Sequence, residues 1–249
     1  MGIKKFTTKE YWDETRHAFS PFPVTTTPFA PYLEKYLPEK TSFRCVEIGG
    51  YPGTHLTYFA KRFGYHPTAI EYSEHWKDIQ KLLEFNGITD YNIINKDFFD
   101  LGTIEPFDVV SSFGFIEHFD DYEKVLKAHS DILKPNGYLI LSVPYIGGLQ
   151  GIIRKLAYTP EHWQRMRNAH NEKIMNLHTL KQSVARYASR ILFADYVMST
   201  SVWFSWDAPF VKNNMRGFMK LVNSVDKKVR RVLPSSRLYS PMILVIAQK

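Results

Sequence analysis

A glycine-rich turn between a short apolar run and a helix-like stretch is the feature that most constrains this chain. Residues 45–48 form the run, with Glu47 near its end, and residues 55–63 have a helical pattern. The turn contains Gly49, Gly50 and Gly53. Glycine lets the backbone adopt positive φ and approach a ligand closely. A buried strand, a tight glycine turn and a helix N-terminus predict the first crossover of a nucleotide-binding α/β sheet.

Acidic residues follow the next two strand-like segments. The segment 67–70 is followed by Glu71, and the segment 91–95 by Asp97. An acid about 20 residues beyond the glycine turn suits a ribose diol, because both hydroxyls of the diol need an acceptor. A fourth segment, residues 107–112, runs into the stretch from Phe113 to Phe119.

These four motifs, in this order and spacing, resemble the class I S-adenosylmethionine-dependent methyltransferases over roughly residues 40–145. The resemblance implies a doubly wound, seven-stranded and mostly parallel sheet with an antiparallel seventh strand. It also implies S-adenosylmethionine as cofactor, bound across the carboxyl ends of strands one, two and four. The cofactor-binding residues expected from the resemblance are Glu47, Gly49, Gly50, Gly53, Glu71, Tyr72, Asp97, Phe98, Phe113 and, on an N-terminal helix, Tyr11.

One position departs from the pattern of that family. The usual turn is acid-x-Gly-x-Gly-x-Gly, whereas Tyr51 stands where the middle glycine belongs, with Gly50 beside it. The departure concerns the backbone path at Tyr51, and the expected fold is unchanged.

We expect one methyltransferase domain over residues 1–249. It comprises an N-terminal helical cap (1–40), a cofactor-binding core (41–145), a substrate-side segment (146–190) and a basic amphipathic insertion (209–238) before the last strand.

Local signals predict several boundaries in this domain. The capping boxes Thr7–Glu10 and Thr179–Gln182 predict helices to about His17 and Ser189. Pro135-Asn-Gly137 predicts a turn that closes a helix from Tyr122 and precedes a strand over 138–143. The last two strands are predicted within residues 191–206 and 241–247.

Cysteine content and hydropathy exclude several classes of protein. The single cysteine, Cys45, rules out a disulfide framework and any site built on several cysteines. No apolar run approaches membrane-spanning length, and the first eight residues lack the apolar core of a signal peptide. No His, Asp and Glu spacing is typical of a metal site, so we predict no metal ion. A cytoplasmic location is the default expectation.

Charge is distributed unevenly along the chain. Residues 1–145 carry 15 basic and 20 acidic residues, and residues 146–249 carry 17 and 5. A strongly basic second half suggests an anionic partner: nucleic acid, a phospholipid surface or a phosphate-bearing substrate. A solvated basic face is the plain alternative.

The insertion at 209–238 combines an apolar stripe with basic residues. Met215, Phe218, Met219, Val222, Val225, Val229 and Leu233 recur at helical spacing, and lysines and arginines lie mostly off that face. Such a helix can lie in an anionic membrane interface, which would place the protein at the inner face of the membrane. Packing of the stripe against the domain itself is equally compatible.

Three histidines are candidates for the catalytic base. His118 follows strand four, where the resemblance places the methyl group, and His170 and His178 lie in the substrate-side segment. A hydroxyl acceptor needs a group that takes its proton. We therefore expect methylation of a hydroxyl on a sugar, a lipid-linked glycan or another small molecule. Nitrogen methylation stays open.

Two other functions remain as alternatives. An RNA methyltransferase would use the same basic surface, although no RNA-binding module is recognisable and nucleic acid is the less favoured partner. A non-catalytic scaffold with this fold has support only from Tyr51. The retained residues argue against it: Glu47, Gly49, Gly53, Glu71 and Asp97.

Overall fold

A seven-stranded sheet forms the centre of the protein. The computed structural model describes residues 3–16, 19–197 and 235–249. The strands are β1 (Arg44–Ile48), β2 (His66–Ile70), β3 (Asn92–Ile94), β4 (Phe107–Phe113), β5 (Leu133–Pro144), β6 (Arg190–Val197) and β7 (Met242–Gln248). Their order is β3-β2-β1-β4-β5-β7-β6. The pairings from β3 through β5 are parallel, and β7 is antiparallel to β5 and to β6. The predicted fold is confirmed.

Helices cover both faces of this sheet. They are α1 (Lys9–Thr15), α2 (Ala30–Tyr36), α3 (Thr54–Phe63), α4 (Trp76–Phe85), α5 (Tyr122–Asp131), α6 (Gly148–Ala157), α7 (Pro160–Asn168) and α8 (Leu177–Val184). Because side chains alternate along a strand, Val46 and Ile48 of β1 join the core beneath α5 and α8, whereas Cys45 joins the core beneath α2, α3 and α4. Each fully buried large aliphatic side chain contributes roughly 1.5–3 kcal/mol.

The first helix begins one residue later than the capping box predicts. The side chain of Thr8, rather than that of Thr7, accepts a hydrogen bond from Tyr11 N, and the helix ends at Thr15. Thr7 is buried instead. The sequence offers two adjacent threonines, and only packing decides between them.

The helix predicted over 179–189 is shifted toward the N-terminus. Asn176 caps α8 by accepting hydrogen bonds from His178 N and Thr179 N, and the helix already ends at Val184. Asparagine is as good an N-cap as threonine, so the earlier residue initiates the helix.

The Pro135-Asn-Gly137 stretch lies within β5, not in a turn between a helix and a strand. β5 extends from Leu133, and its pairing with β4 shifts register between Phe107 and Val109. Asn136 has φ of 62°. The irregularity accommodates proline and glycine in the strand without ending it.

Most of the predicted insertion lies outside the described residues, which resume at residue 235. The amphipathic stripe of residues 215–233 and the end of the region predicted for β6, beyond Val197, therefore remain predictions.

Candidate functional site

A cavity opens at the carboxyl ends of the first four strands. The chain runs outward from β1 to β3 on one side and from β4 to β5 on the other, so the order reverses between β1 and β4. Ligands bind at such reversal points in open α/β sheets. The cavity has a volume of about 250 Å³. Its lining includes Lys5, Trp12, Arg16, Gly49, Tyr51, Glu71, Tyr72, Asp97, Phe98, Phe113, Phe115 and His118.

The glycine turn brings the backbone close to this cavity. Gly49 has φ of 67°, and a Cβ atom there would lie 2.7 Å from Cδ2 of Phe115. No side chain fits between the turn and that ring. Tyr51, at the position that departs from the glycine pattern, lines the cavity and faces the guanidinium of Arg16, whose carbon is 4.4 Å from the ring centroid.

Glu47 supports the turn from below. Its Oε2 accepts a hydrogen bond of 3.0 Å from Leu56 N, in the first turn of α3. Burial, with a smaller contribution from the nearby Glu71, raises the pKa of Glu47 to about 8. Glu47 does not line the cavity. Its hydrogen bond with Leu56 N connects β1 to the first turn of α3.

Glu71 points into the cavity from the end of β2. Only 3% of the residue is exposed. Its Oε1 accepts a hydrogen bond from Ser73 N at 2.9 Å. Its Oε2 lies 3.3 Å from Arg16 Nη1 but forms no hydrogen bond with any described residue. A buried carboxylate oxygen without a donor fits a ribose diol, which offers two hydroxyl donors.

Asp97 forms the next part of the wall. It pairs with Lys5 of the N-terminal segment, and the Lys5 ammonium also lies 4.8 Å from the ring centroid of Tyr72. Burial, reinforced by Asp97, raises the pKa of Tyr72 to about 12. Phe98 is buried beside Asp97. An acid next to an apolar ring suits a base such as adenine, which has an amine donor and a flat apolar face.

The opposite wall carries His118, and a second histidine from a different part of the chain packs against it. His118 ends a short 3-10 helix, Ile116–His118, directly after β4. His170 follows α7, and the two rings lie 4.7 Å apart between centroids. Burial first, and His170 second, lower the pKa of His118 to about 3. The His118 ring is therefore neutral and carries a lone pair on one nitrogen.

Hydrogen bonds to carbonyl groups orient both rings. His118 Nδ1 lies 2.8 Å from the oxygen of Ala169, and His170 Nδ1 lies 2.5 Å from the oxygen of Met166. A carbonyl only accepts, so each Nδ1 donates its hydrogen, and in the neutral His118 ring the lone pair therefore lies on Nε2. Sequence reasoning named both histidines but could not place them together, since they are 52 positions apart.

Of the remaining expected residues, Phe113 lines the cavity and the others lie elsewhere. Gly50, Gly53 and Tyr11 do not line the cavity, and Trp12, next to Tyr11, contributes the aromatic surface from α1. His178 is exposed at the start of α8 and does not reach the cavity. Phe113 lines it and stacks on His55 at 4.0 Å between centroids.

Several cavity residues were not expected, among them two basic residues of the N-terminal segment. Lys5 and Arg16 flank α1 and contact the acids at the ends of β2 and β3. In the sequence, Lys5 lies just before the predicted cap helix and Arg16 near its predicted end, and their charge is the signal that the sequence offers.

Within the described residues, no helix has both the length and the apolar composition needed to cross a membrane.

Comparison with known proteins agrees with this geometry. A family described as "Methyltransferase domain" matches residues 12–187, which is more than half of the chain. No curated protein matches the chain in sequence.

Solved structures share the fold at low sequence identity. An S-adenosylmethionine-dependent methyltransferase from Mesorhizobium loti has a TM-score of 0.55 and 16% identity, with 91% of this chain and 100% of that chain covered. The YcgJ protein from Bacillus subtilis has a TM-score of 0.57 and 11% identity, with 89% and 97% covered. A phosphoethanolamine N-methyltransferase from Haemonchus contortus has a TM-score of 0.55 and 18% identity, with 87% and 51% covered.

Proposed function

Because this chain belongs to the methyltransferase-domain family, among the class I S-adenosylmethionine-dependent methyltransferases, we propose that it methylates a hydroxyl oxygen of a small acceptor. The acceptor class that we favour is a sugar or a lipid-linked glycan. The observation that carries the proposal is the pair of His118 and His170 beside the cavity, with their rings 4.7 Å apart.

The chain has the groups needed to hold the cofactor. Glu71 offers acceptor oxygens to a ribose diol, and Asp97 offers them to an adenine amine. Gly49 has no side chain, so the backbone of the turn lies close to Phe115 and to the cavity. When bound, S-adenosylmethionine supplies a methyl group on a positively charged sulfur, and this carbon is electrophilic.

The protein contributes mainly alignment and proton removal to such a reaction. Holding the acceptor oxygen in line with the methyl carbon accounts for much of the rate enhancement in bimolecular reactions of this kind. A hydroxyl must also lose its proton, whereas a neutral amine attacks with its own lone pair. The His118 ring is neutral and its Nδ1 donates to a carbonyl, so its Nε2 is unprotonated and can take the proton of a hydroxyl acceptor.

Charge favours an acceptor that carries phosphate or lies on an anionic surface. Residues 146–249 hold 17 basic and 5 acidic residues, and this half supplies His170. Long-range attraction raises the local concentration of an anionic acceptor and increases its association rate.

The proposal is tested by methyl transfer from labelled S-adenosylmethionine to a defined panel. Hexose phosphates and a polyprenyl-phosphate-linked sugar represent the oxygen acceptors. Phosphoethanolamine and sarcosine represent the amines, and total RNA represents nucleic acid. Label in an ether on a sugar, greatly reduced in His118→Ala, is the expected result. Label on nitrogen or in RNA, with none on sugars, would overturn the hydroxyl assignment.

The matched control is His66→Ala. His66 is exposed at the amino end of β2, opposite the cavity, and pairs with Asp90. Because it contacts nothing at the site, its loss leaves methyl transfer at the wild-type rate.

A further inference from the structure

We propose that Glu117, His118 and His170 form a binding site for a divalent transition-metal ion beside the cofactor cavity. The binding of the ion stands on the geometry alone. Its role, to hold and activate the acceptor hydroxyl, rests on the proposed function. The sequence spacing gave no sign of this site, because one ligand comes from the segment beyond α7.

Three ligand atoms of suitable type converge in the structure. One atom each from Glu117, His118 and His170 lies within 4.8 Å of the other two. Glu117 Oε1 and His118 Nε2 are 3.9 Å apart. The ligand atoms of a tetrahedral ion about 2.1 Å from each of them lie about 3.4 Å apart. A closure of side chains by up to about 1.4 Å therefore completes the site.

The hydrogen bonds that orient the two histidine rings are typical of a metal site. Both imidazoles use Nδ1–H to donate to carbonyl oxygens, at 2.8 Å for His118 and 2.5 Å for His170. Histidine ligands almost always donate their other N–H in this way, which fixes the tautomer and the ring orientation. For His118, this leaves Nε2, which lies 3.9 Å from Glu117 Oε1, as the ligand atom.

Glu117 is difficult to explain without a ligand. The residue is 1% exposed, and its Oε2 has no hydrogen-bond partner among the described residues. A buried carboxylate normally pairs or coordinates a metal, because an unpaired buried charge is costly. The other oxygen of Glu117, Oε1, lies 3.9 Å from Nε2 of His118.

The segment that carries His170 is fastened to the loop that carries the other two ligands. Asn171 N donates to the oxygen of Glu117 at 2.6 Å. Asn171 Nδ2 donates to the oxygens of Phe119 and Asp120, at 3.0 Å each. These bonds hold the third ligand in place, so the site does not depend on a chance approach of two loops.

The donor set selects the class of ion. Two imidazole nitrogens and one carboxylate suit zinc, iron or cobalt, whereas magnesium and calcium prefer oxygen ligands alone. Three protein ligands leave coordination positions open, as catalytic sites require. An acceptor with two neighbouring oxygens, such as a vicinal diol, can occupy two of them.

A bound ion provides a balanced route for the proton. With the ion bound, the two histidines act as ligands and not as bases: the acceptor hydroxyl binds the ion, the pKa of the hydroxyl falls, and its proton passes to water. The oxygen lone pair then forms the new O–CH₃ bond, and the electron pair of the breaking C–S bond remains on sulfur. The products are the methyl ether, S-adenosylhomocysteine and the released proton.

The experiment uses the full-length chain after treatment with a chelator, titrated with Co²⁺ while its visible absorption is recorded. We expect one ion per chain with the strong d–d bands of a four- or five-coordinate site, displaced by Zn²⁺. Glu117→Gln and His170→Ala each weaken binding by about tenfold or more. His66→Ala, which removes an exposed histidine paired with an acid, leaves binding unchanged.

Calorimetry with S-adenosylhomocysteine shows that each variant is folded, because the residues that hold the nucleoside are intact. Absence of the bands in the wild-type chain overturns the metal site, and so does equal loss in His66→Ala. This readout needs no acceptor. Label on nitrogen would overturn the hydroxyl assignment and leave the metal site standing, whereas sugar methylation that is insensitive to chelator would overturn the role of the ion.

Discussion

The guanidinium of Arg16 lies 3.3 Å from the Glu71 carboxylate, and both side chains are nearly buried. Arg16 caps α1 at its C-terminus, and Glu71 follows β2. The N-terminal segment thus supplies a cation to the acid that is assigned to the ribose. The same guanidinium donates to Ser73 Oγ at 2.8 Å and faces the ring of Tyr51. One residue therefore connects the cap, the glycine turn and the end of β2.

Removal of this cation should destabilise the free protein. Arg16→Met leaves Glu71 buried without its counter-charge, which should lower the free energy of unfolding by about 2–3 kcal/mol. Chemical denaturation measures the change. Lys9→Met is the matched control, since Lys9 lies on the same helix and its ion pair with Glu74 is much more exposed and contributes little to stability. Equal losses in the two variants would contradict the assignment.

Alanine substitutions at Gly49 and Gly102 distinguish the cost of a strained backbone from the cost of a steric clash. Their φ angles are 67° and 66°, but a Cβ at Gly102 would meet no atom within 4 Å, whereas one at Gly49 would strike Phe115. Gly102→Ala should cost about 1–2 kcal/mol of unfolding free energy for its left-handed backbone. Gly49→Ala should cost about 1–3 kcal/mol more.

The same pair of variants tests whether the turn serves the cofactor. Displacement of Phe115 alters the cavity wall, so Gly49→Ala should also lose affinity for S-adenosylhomocysteine in calorimetry. Gly102→Ala should bind like the wild type. Unchanged affinity in a folded Gly49→Ala protein would show that the close approach of the turn is not needed.

Glu47 should make stability depend on pH. Burial raises its pKa from 4.5 to about 8, so the folded chain holds this proton more tightly than the unfolded chain. The resulting stabilisation is complete below about pH 4.5 and is lost as the pH rises toward 8. Glu47→Gln keeps an acceptor for Leu56 N and cannot ionise.

The difference in unfolding free energy between Glu47→Gln and the wild type should therefore grow with pH, by on the order of 3 kcal/mol between pH 5 and 9. Urea denaturation at intervals of pH measures it. Glu105→Gln, at an exposed acid, should track the wild type. A constant difference across this range would mean that Glu47 is ionised in the folded protein.

The sequence predicts the core of the site because its signals are local. The strand, glycine turn and helix from Arg44 to Phe63 follow one another without interruption, and Glu71 and Asp97 lie within three residues of the ends of their strands. The contact between His118 and His170 is not local. It depends on how the segment beyond β5 folds back over β4. The spacing and periodicity of residues in that segment do not predict this packing.

Choices between similar neighbours were also beyond sequence reasoning. Thr8 caps α1 although Thr7 fits the capping pattern equally well, and Trp12 lines the cavity although Tyr11 precedes it on the same helix. In both cases the sequence offers two adjacent residues of the same chemistry. Only the rotation of α1 against the sheet selects one of them.

Calorimetric titration of the full-length chain with S-adenosylhomocysteine tests the central claim most directly. The account predicts micromolar binding by the wild type. Glu71→Ala removes the acceptors of the ribose hydroxyls and should weaken binding at least about tenfold, since hydrogen bonds to a charged group contribute about 1.5–3 kcal/mol. Glu74→Ala, at an exposed acid three residues away, should bind within about twofold of the wild type. No binding by the wild type, or equal binding by Glu71→Ala, would contradict the account.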